Sequence, residues 1–315
     1  LRQLSKLPGN DLNEEKSVTV SEALQWAEEH LFDRNSVVRE CQVWQEALGR
    51  ARGEAFSVSE LKDFTQQRGY IRDAERPGEV TLSEVLLREW EIVQTAKEGV
   101  GDSWPLVANP RPVNPKLDDE QRRALDGLLS SINNVSVFRG GAGTGKSCVL
   151  RELVAEIQAS GRGVVVLAPQ RQQVMDLEQS GFPSPLTVSQ FLVKRDLAEG
   201  AAVVVDEAGQ IGGRQMWELL RLVRERNARL ILSGDTRQHG AVEASDALRA
   251  IERYSGVKPV ELHTIRRQDP ARGQTADERE RIKQYRRAVK LAADGKFTES
   301  FSQLDHLGVV VTCGV

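Results

Sequence analysis

One stretch constrains this chain more than any other. A β-branched and aromatic run, Val135–Phe138, opens into Gly140-Gly141-Ala142-Gly143-Thr144-Gly145-Lys146-Ser147, and apolar positions at helical spacing follow from Lys146 to Ala159. The pattern is G-x-x-x-x-G-K-S, and it stands after a predicted strand and before a predicted helix, the context its chemistry requires. Glycines let the loop take conformations that other residues resist, so its backbone amides converge on one anion. The helix that follows turns the positive end of its dipole toward the same anion. Residues Gly140 through Cys148 therefore read as a nucleotide phosphate site. Lys146 is expected to reach the β- and γ-phosphates, and the Ser147 hydroxyl to ligate magnesium. Cys148 closes the set as a small packing residue.

Beyond this loop, short apolar runs alternate with helical segments: Val164–Leu167 then Gln172–Gln179, Ala202–Val205 then Arg214–Arg226, and Leu230–Leu232. Continuous runs of this kind indicate an α/β fold, a parallel sheet covered by helices. The run ending at Val205 is followed by Asp206-Glu207-Ala208-Gly209. Acidic residues at the C-terminal end of a parallel strand face the crevice where ligands bind. Asp206 is expected to hold the magnesium, and Glu207 to orient and deprotonate an attacking water. Read alone, the pair is equally two solvated acids; beside the phosphate loop, the catalytic reading prevails. The next strand ends in Ser233-Gly234-Asp235-Thr236-Arg237-Gln238, where Gln238 is placed to sense the γ-phosphate or position water, the alternative being an ordinary turn.

The N-terminal third has a different texture. Thr19 with Glu22, Ser57 with Glu60 and Thr81 with Glu84 have capping-box spacing and predict three helix starts. Apolar stripes follow at Val20, Leu24, Ala27, Leu31; at Val37, Cys41, Trp44, Leu48; and at Leu86, Trp90, Val93, all expected to be core. Pro105, Pro110, Pro112 and Pro115 mark Gly99 to Pro115 as a linker. The expected organisation is a small, mainly helical module (1–98), a linker (99–115), a sheet domain (116–258), and the start of an incomplete second domain (259–315).

Composition removes several classes. Of 315 residues, 39% are hydrophobic and 28% charged, with a net charge of −3. Apolar runs such as Ala201–Val205 fall far short of the roughly 20 residues that span a bilayer, so no membrane partner is expected. Cys41, Cys148 and Cys313 are scattered, which excludes a disulfide framework and suits a reducing cytoplasm. His30, His239, His263 and His306 form no metal triad in sequence, and Tyr70, Tyr254 and Tyr285 stand in no catalytic setting. The mixed-sign run Asp277–Arg287 reads as a solvated helix face. The chain starts at Leu1 without a leader pattern and is expected to be a piece of a longer protein.

Seven motifs now stand in one order: Glu120-Gln121, the phosphate loop, Val166-Leu167-Ala168-Pro169, Leu186-Thr187, Asp206–Gly209, Ser233–Gln238, and Leu262-His263-Thr264-Ile265-Arg266-Arg267-Gln268. Together they resemble the superfamily 1 DNA helicases of the RecD/TraI type, most of all the helicase module of conjugative (MobF/TraI-like) relaxases. The resemblance covers about Asn114 to Gln268, with a weaker likeness at His30–Val37 and Gly78–Leu82. It implies a RecA-like P-loop NTPase domain as the first motor domain, ATP and Mg2+ as cofactors, single-stranded DNA as partner, and 5′-to-3′ movement. It implies that Gln121 reads the adenine edge, that Gln238 couples nucleotide state to DNA, and that Pro169, Gln170 and Thr187 touch the strand backbone. Arg267 would stabilise the γ-phosphate from the second motor domain; it is preferred to Arg266 because the family writes arginine followed by glutamine.

The chain departs from the pattern where Gln170-Arg171-Gln172-Gln173 replaces a small, hydroxyl-bearing stretch. The later helicase motifs, including the second domain's arginine finger, have no counterpart before Val315, and neither does relaxase chemistry. The 315 residues are thus expected to bind ATP·Mg, hydrolyse it slowly, and neither unwind nor nick DNA. The second motor domain, and possibly a relaxase domain, would come from the rest of the polypeptide. Two competing readings are a DNA-binding or recruitment module without unwinding activity, and a nucleotide switch unrelated to nucleic acid. The intact Lys146, Ser147, Asp206, Glu207 and Gln238 argue against a degenerate motor.

Overall fold

The computed structural model describes residues 18–33, 35–52, 56–111, 114–141, 143–235, 246–264, 266, 275–293 and 295–309. The chain divides into two compact units, Leu1–Val85 and Leu86–Val315.

In the first unit, two of the three expected capping boxes form. The Thr19 hydroxyl accepts from the Glu22 amide while the Glu22 carboxylate accepts from the Thr19 amide, opening α1 (Val20–Phe32). After β1 (Val38–Arg39) and α2 (Glu40–Arg50), Ser57 and Glu60 open α3 (Val58–Gln67) in the same way. Strands β2 (Ile71–Arg72) and β3 (Glu79–Thr81) complete an antiparallel sheet of order β1-β3-β2. The third expected box does not open a helix. Thr81 ends β3, its hydroxyl donates to the Ser36 carbonyl at 2.6 Å, and α4 (Ser83–Glu98) starts beyond it.

The second apolar stripe is also shifted. Val37 and Cys41 are exposed, and α2 buries Val43 and Ala47 instead, because β1 interrupts the helical register just ahead of it. In α4, Leu86 and Trp90 are exposed while Ile92 and Ala96 are buried. The two units divide inside α4, between Val85 and Leu86, not at residue 98.

The second unit continues with α5 (Asp119–Leu129), β4 (Val135–Gly140), α6 (Lys146–Ala159), β5 (Val164–Ala168) and α7 (Arg171–Gln179). Then come β6 (Leu186–Thr187), α8 (Val188–Lys194), β7 (Ala202–Val205), α9 (Gly213–Glu225) and β8 (Arg229–Gly234). The last elements are α10 (Asp246–Tyr254), β9 (Val260–Leu262), α11 (Ala276–Ala293) and α12 (Phe297–His306). Six strands form one parallel sheet in the order β6-β5-β7-β8-β4-β9. Alternate residues of each strand enter opposite cores, as the two-residue period demands. Val203 and Val205 pack in one core with Met216 and Leu219 of α9; Ala202 and Val204 pack in the other with Leu150 and Leu153 of α6. This is a P-loop NTPase fold of the RecA-like kind.

Two boundaries differ from the sequence reading. Strand β9 pairs with β4, Gly140 opposite Leu262, so the chain is still in this sheet beyond residue 259. The proline-rich segment does not stand free of the sheet domain. Leu106 and Val107 are buried in its core, the Val107 amide donates to the Leu129 carbonyl at 3.0 Å, and Arg111 pairs with Glu156 at 2.8 Å. Prolines remove backbone donors, and the side chains between them supply the anchoring contacts. Among the described residues, no helix is long and apolar enough to cross a membrane.

Candidate active site

Parallel strands bring their C-terminal ends to one edge, and every described motif of the sequence reading arrives there. Strand β8 lies between β4 and β7, so the loop after β4 and the acids after β7 flank its end. The loop depends on glycine at particular points. Gly143 and Gly145 have φ of +77° and +87°, in the left-handed region where side chains are strained. A Cβ at Gly145 would also collide with the Gln121 side-chain amide, and one at Gly140 would lie 2.8 Å from Thr144 Oγ1. Thr144 is buried, and its hydroxyl donates to the Gly141 carbonyl at 2.8 Å, which closes the loop. Ser147 is exposed on the first turn of α6, and so is Cys148, which does not pack in the core as expected.

Lys146 points from this loop to the end of β7. Its Nζ lies 3.3 Å from Glu207 Oε1, with the lysine side chain only 12% exposed. Glu207 has a φ of +51°, a strained conformation for a residue other than glycine; it caps the 3-10 turn Ala208–Gln210. Asp206 is fixed by its amide, which donates to the Leu167 carbonyl at 2.9 Å, and by Ser233 Oγ, which donates to its carboxylate at 3.0 Å. Burial raises the Asp206 carboxyl above the ordinary aspartate value; neighbouring Lys146 opposes that rise and Glu207 adds to it. Gly234 lets β8 pass close by, since a Cβ there would sit 3.3 Å from the Gly209 amide nitrogen.

Two carboxylates here face one ammonium. Asp206 and Ser147 offer hard oxygen donors of the kind magnesium takes when it is shared with phosphate oxygens, so the residues present fit that ion.

Gln121 is nearly buried at the third position of α5. Its Oε1 accepts from the Asp118 amide at 3.2 Å, which turns its NH2 group toward Gly145. The strand-contact candidates also come together: Ala168 pairs with Thr187, so Pro169, Gln170 and Thr187 sit at neighbouring strand ends. The Thr187 hydroxyl caps α8, accepting from the Gln190 amide at 3.1 Å. Gln170, Gln238, Arg267 and Ala142 complete the expected set; Gln170 is exposed, and the other three lie outside the described residues.

Two features escaped sequence reasoning. Gln210 Oε1 accepts from Gln170 Nε2 at 3.0 Å and from Gln173 Nε2 at 2.9 Å, tying the divergent Gln170–Gln173 stretch to the turn after Glu207. Arg266, passed over in favour of Arg267, binds Asp118, Glu120 and the phosphate loop. Burial alone would raise the Glu120 carboxyl, but the His263 amide and Arg266 bring it down to about 2. The only sequence signal for either was that Glu120-Gln121 and Arg266-Arg267 both stood inside motifs.

The pattern of the family described as AAA domain matches residues 116–313. The chain is 30% identical over 158 residues to a probable conjugal transfer protein TraA of Sinorhizobium fredii (strain NBRC 101917 / NGR234), a stretch covering 49% of this chain and 14% of that relative. It is 24% identical over 196 residues to the multifunctional conjugation protein TraI of Escherichia coli (strain K12), covering 58% of this chain and 11% of TraI. It is 28% identical over 138 residues to the ATP-dependent DNA helicase PIF1 of Trypanosoma brucei brucei (strain 927/4 GUTat10.1), covering 40% of this chain and 15% of that helicase. The chain thus spans a small part of the length of these curated relatives.

Proposed function

Because this chain belongs to the AAA domain family, among the superfamily 1 helicases of the TraI/RecD type, we propose that it is the ATP-binding motor domain of a cytoplasmic DNA translocase within a conjugative relaxase-helicase. The observation that carries this reading is the meeting of Lys146 with Glu207 at 3.3 Å, beside Asp206, at the edge where the glycine loop ends. In phosphoryl transfer the protein contributes mainly position and charge. The loop amides and the α6 N-terminus bind the phosphates, and Lys146 neutralises the β- and γ-oxygens. Ser147 and Asp206 would hold magnesium, which when bound offsets phosphate charge. Glu207 orients water and takes its proton. Gln121 meets the adenine edge, and Gln238 and Arg267 respond to the γ-phosphate, Arg267 in concert with a second motor domain elsewhere in the parent polypeptide. Pro169, Gln170 and Thr187 track the backbone of a single strand.

Titration with ATP tests the first half. Wild type should bind in a magnesium-dependent manner, and Lys146→Ala should bind markedly more weakly. In a chain that carries the second motor domain, single-stranded DNA should stimulate hydrolysis, with affinity that falls steeply as salt rises. Magnesium-dependent ATP binding with no response to DNA would instead mark a nucleotide switch, and DNA binding without ATP turnover a recruitment module.

A further inference from the structure

We propose that Arg266 is the positioning residue that sets the geometry of the phosphate loop, and so its affinity for phosphates, without itself touching nucleotide. The proposal rests on the ATP-site reading above and deepens it. An arginine side chain has five N–H donors in a planar fork. All five are in use. Nε and Nη2 donate to the Asp118 carboxylate, Nη2 also to Glu120 Oε2 at 2.7 Å, and Nη1 to the Thr144 carbonyl at 2.6 Å and the Thr264 carbonyl at 2.9 Å. The Arg266 backbone amide adds a bond to the Gly143 carbonyl at 2.6 Å. The side chain is 17% exposed.

Two successive loop carbonyls are therefore held from outside by one residue. In a trans peptide the C=O and the following N–H point in opposite directions. Fixing the Gly143 and Thr144 carbonyls on Arg266 thus fixes the amides of Thr144 and Gly145, and it aims the Gly145 amide away from Arg266. The Thr144 amide meets the Gly141 carbonyl at 3.3 Å and tightens the same turn. Loop amides of this kind bind phosphate only when they are held convergent.

The balance of charge points the same way. Asp118 and Glu120 more than neutralise the guanidinium, so its effect on an anion is geometric. Its partners are also anchored: Asp118 accepts from the Glu120 and Gln121 amides at 3.0 Å each, and Glu120 from the His263 amide at 2.7 Å. Arg266 thereby connects the phosphate loop, the start of α5 and the segment after β9. A lysine has one ammonium and no fork, and it cannot span these acceptors.

Three variants test this: Arg266→Ala, Arg266→Lys, and the pair Asp118→Asn with Glu120→Gln, which frees the guanidinium without removing it. Each is titrated with Mg·ATP and, separately, with magnesium tripolyphosphate, which lacks the base. We expect about 10- to 100-fold weaker binding of both ligands for Arg266→Ala, the range set by losing a charge-assisted hydrogen-bond set. Lysine should rescue little of this. The Asp118/Glu120 pair should lose a similar factor, and combining it with Arg266→Ala should add almost nothing. Hydrogen exchange at the Thr144 and Gly145 amides should quicken in the ligand-free variants. If freeing the guanidinium tightens phosphate binding, Arg266 is a direct ligand and the proposal is wrong. It is equally wrong if only ATP, and not tripolyphosphate, is affected, or if Arg266→Ala binds both like wild type. Should Arg266→Ala fail to fold, the lysine variant and the carboxylate pair discriminate between the same outcomes. Failure of wild type to bind either ligand would instead overturn the ATP-site reading itself.

Discussion

The two edges of the parallel sheet both bury charge, and they do so with opposite consequences. At the N-terminal edge Arg229 is 4% exposed, and its Nη atoms donate to Ser103 Oγ at 3.0 Å, the Trp104 carbonyl at 2.6 Å and the Ser131 carbonyl at 2.7 Å. Burial, with Arg162 nearby, lowers its pKa to about 10. These acceptors are neutral and come from the segments leading into β4, so the guanidinium staples the proline-rich segment to the sheet. At the C-terminal edge Asp206 and Glu207 face Lys146, two acids against one base. Arg229 keeps its charge among neutral acceptors of the fold, with only its Nε left without a partner, and it serves structure. The acids and the lysine of the C-terminal edge stand at strand ends, where the proposed nucleotide would meet them.

The largest effects should separate these edges most sharply. Glu207→Gln removes the carboxylate proposed to take the proton while keeping its size. In a chain with the second motor domain, turnover should fall about 10²- to 10⁴-fold, with ATP affinity little changed. Equal turnover would sink the assignment. Lys146→Ala should weaken ATP binding by about 10- to 100-fold while leaving the thermal unfolding of the ligand-free chain near wild type. Arg229→Ala should do the reverse: a loss of stability of about 2–4 kcal/mol, read by denaturant unfolding, with ATP affinity retained. If Arg229→Ala abolished ATP binding in a folded protein, the two edges would not be independent.

Which of these features could be read in advance follows from the range of the interactions. The turn from Gly143 into α6, the strands from Val135 to Leu232 and the capping boxes at Thr19 and Ser57 are local patterns, and they formed as read. The stripe Val37-Cys41-Trp44-Leu48 held only in its second half: Trp44 and Leu48 pack against the core, while Val37 and Cys41 are exposed because a two-residue strand, too short to leave a period, reset the helix after it. Thr81 had cap spacing, but the Ser36 carbonyl, 45 positions away, engaged its hydroxyl. The carboxylate acceptors of Arg266 are 148 and 146 positions distant, and the acceptors of Arg229 are a hydroxyl and two carbonyls with no side-chain signature. Periodicity reports which face a helix buries locally. It is silent about which distant carboxylate an arginine will meet.

A smaller effect compares two acids on the active edge. Glu120 has its carboxyl lowered from 4.5 to about 2, with its side chain 19% exposed. A depressed folded value means stability that is fully present above pH 4.5 and is lost as pH falls toward about 2. Solvent screening around this carboxylate leaves a contribution of about 1–2 kcal/mol. Glu120→Gln should therefore unfold more easily at neutral pH and show a flatter acid limb than wild type. Parallel acid limbs for the two proteins would mean that the Arg266 contact contributes nothing to stability.

Asp206 has the opposite sign and the smallest expected effect. Burial holds its folded pKa above 3.8, so the unfolded chain ionises first as pH rises. Below pH 3.8 the carboxyl is neutral in both states and costs nothing; above it the ionised group subtracts from stability, and the deficit is complete once pH passes the folded value. At neutral pH wild type therefore carries a destabilising charge at the point where magnesium would bind. Asp206→Asn removes that charge, keeps an acceptor for Ser233 Oγ, and leaves Lys146 with its Glu207 partner at 3.3 Å. The ligand-free variant should melt higher than wild type by a few degrees, about what 1 kcal/mol gives in a domain of this size. The gain should shrink as pH approaches 3.8, the aspartate value in the unfolded chain. The same variant should lose magnesium-dependent ATP binding, the exchange of stability for function found where a site holds uncompensated charge. Calorimetry of the two ligand-free proteins across pH decides the point: a variant that melts lower at pH 7 would place Asp206 with Arg229, as part of the scaffold.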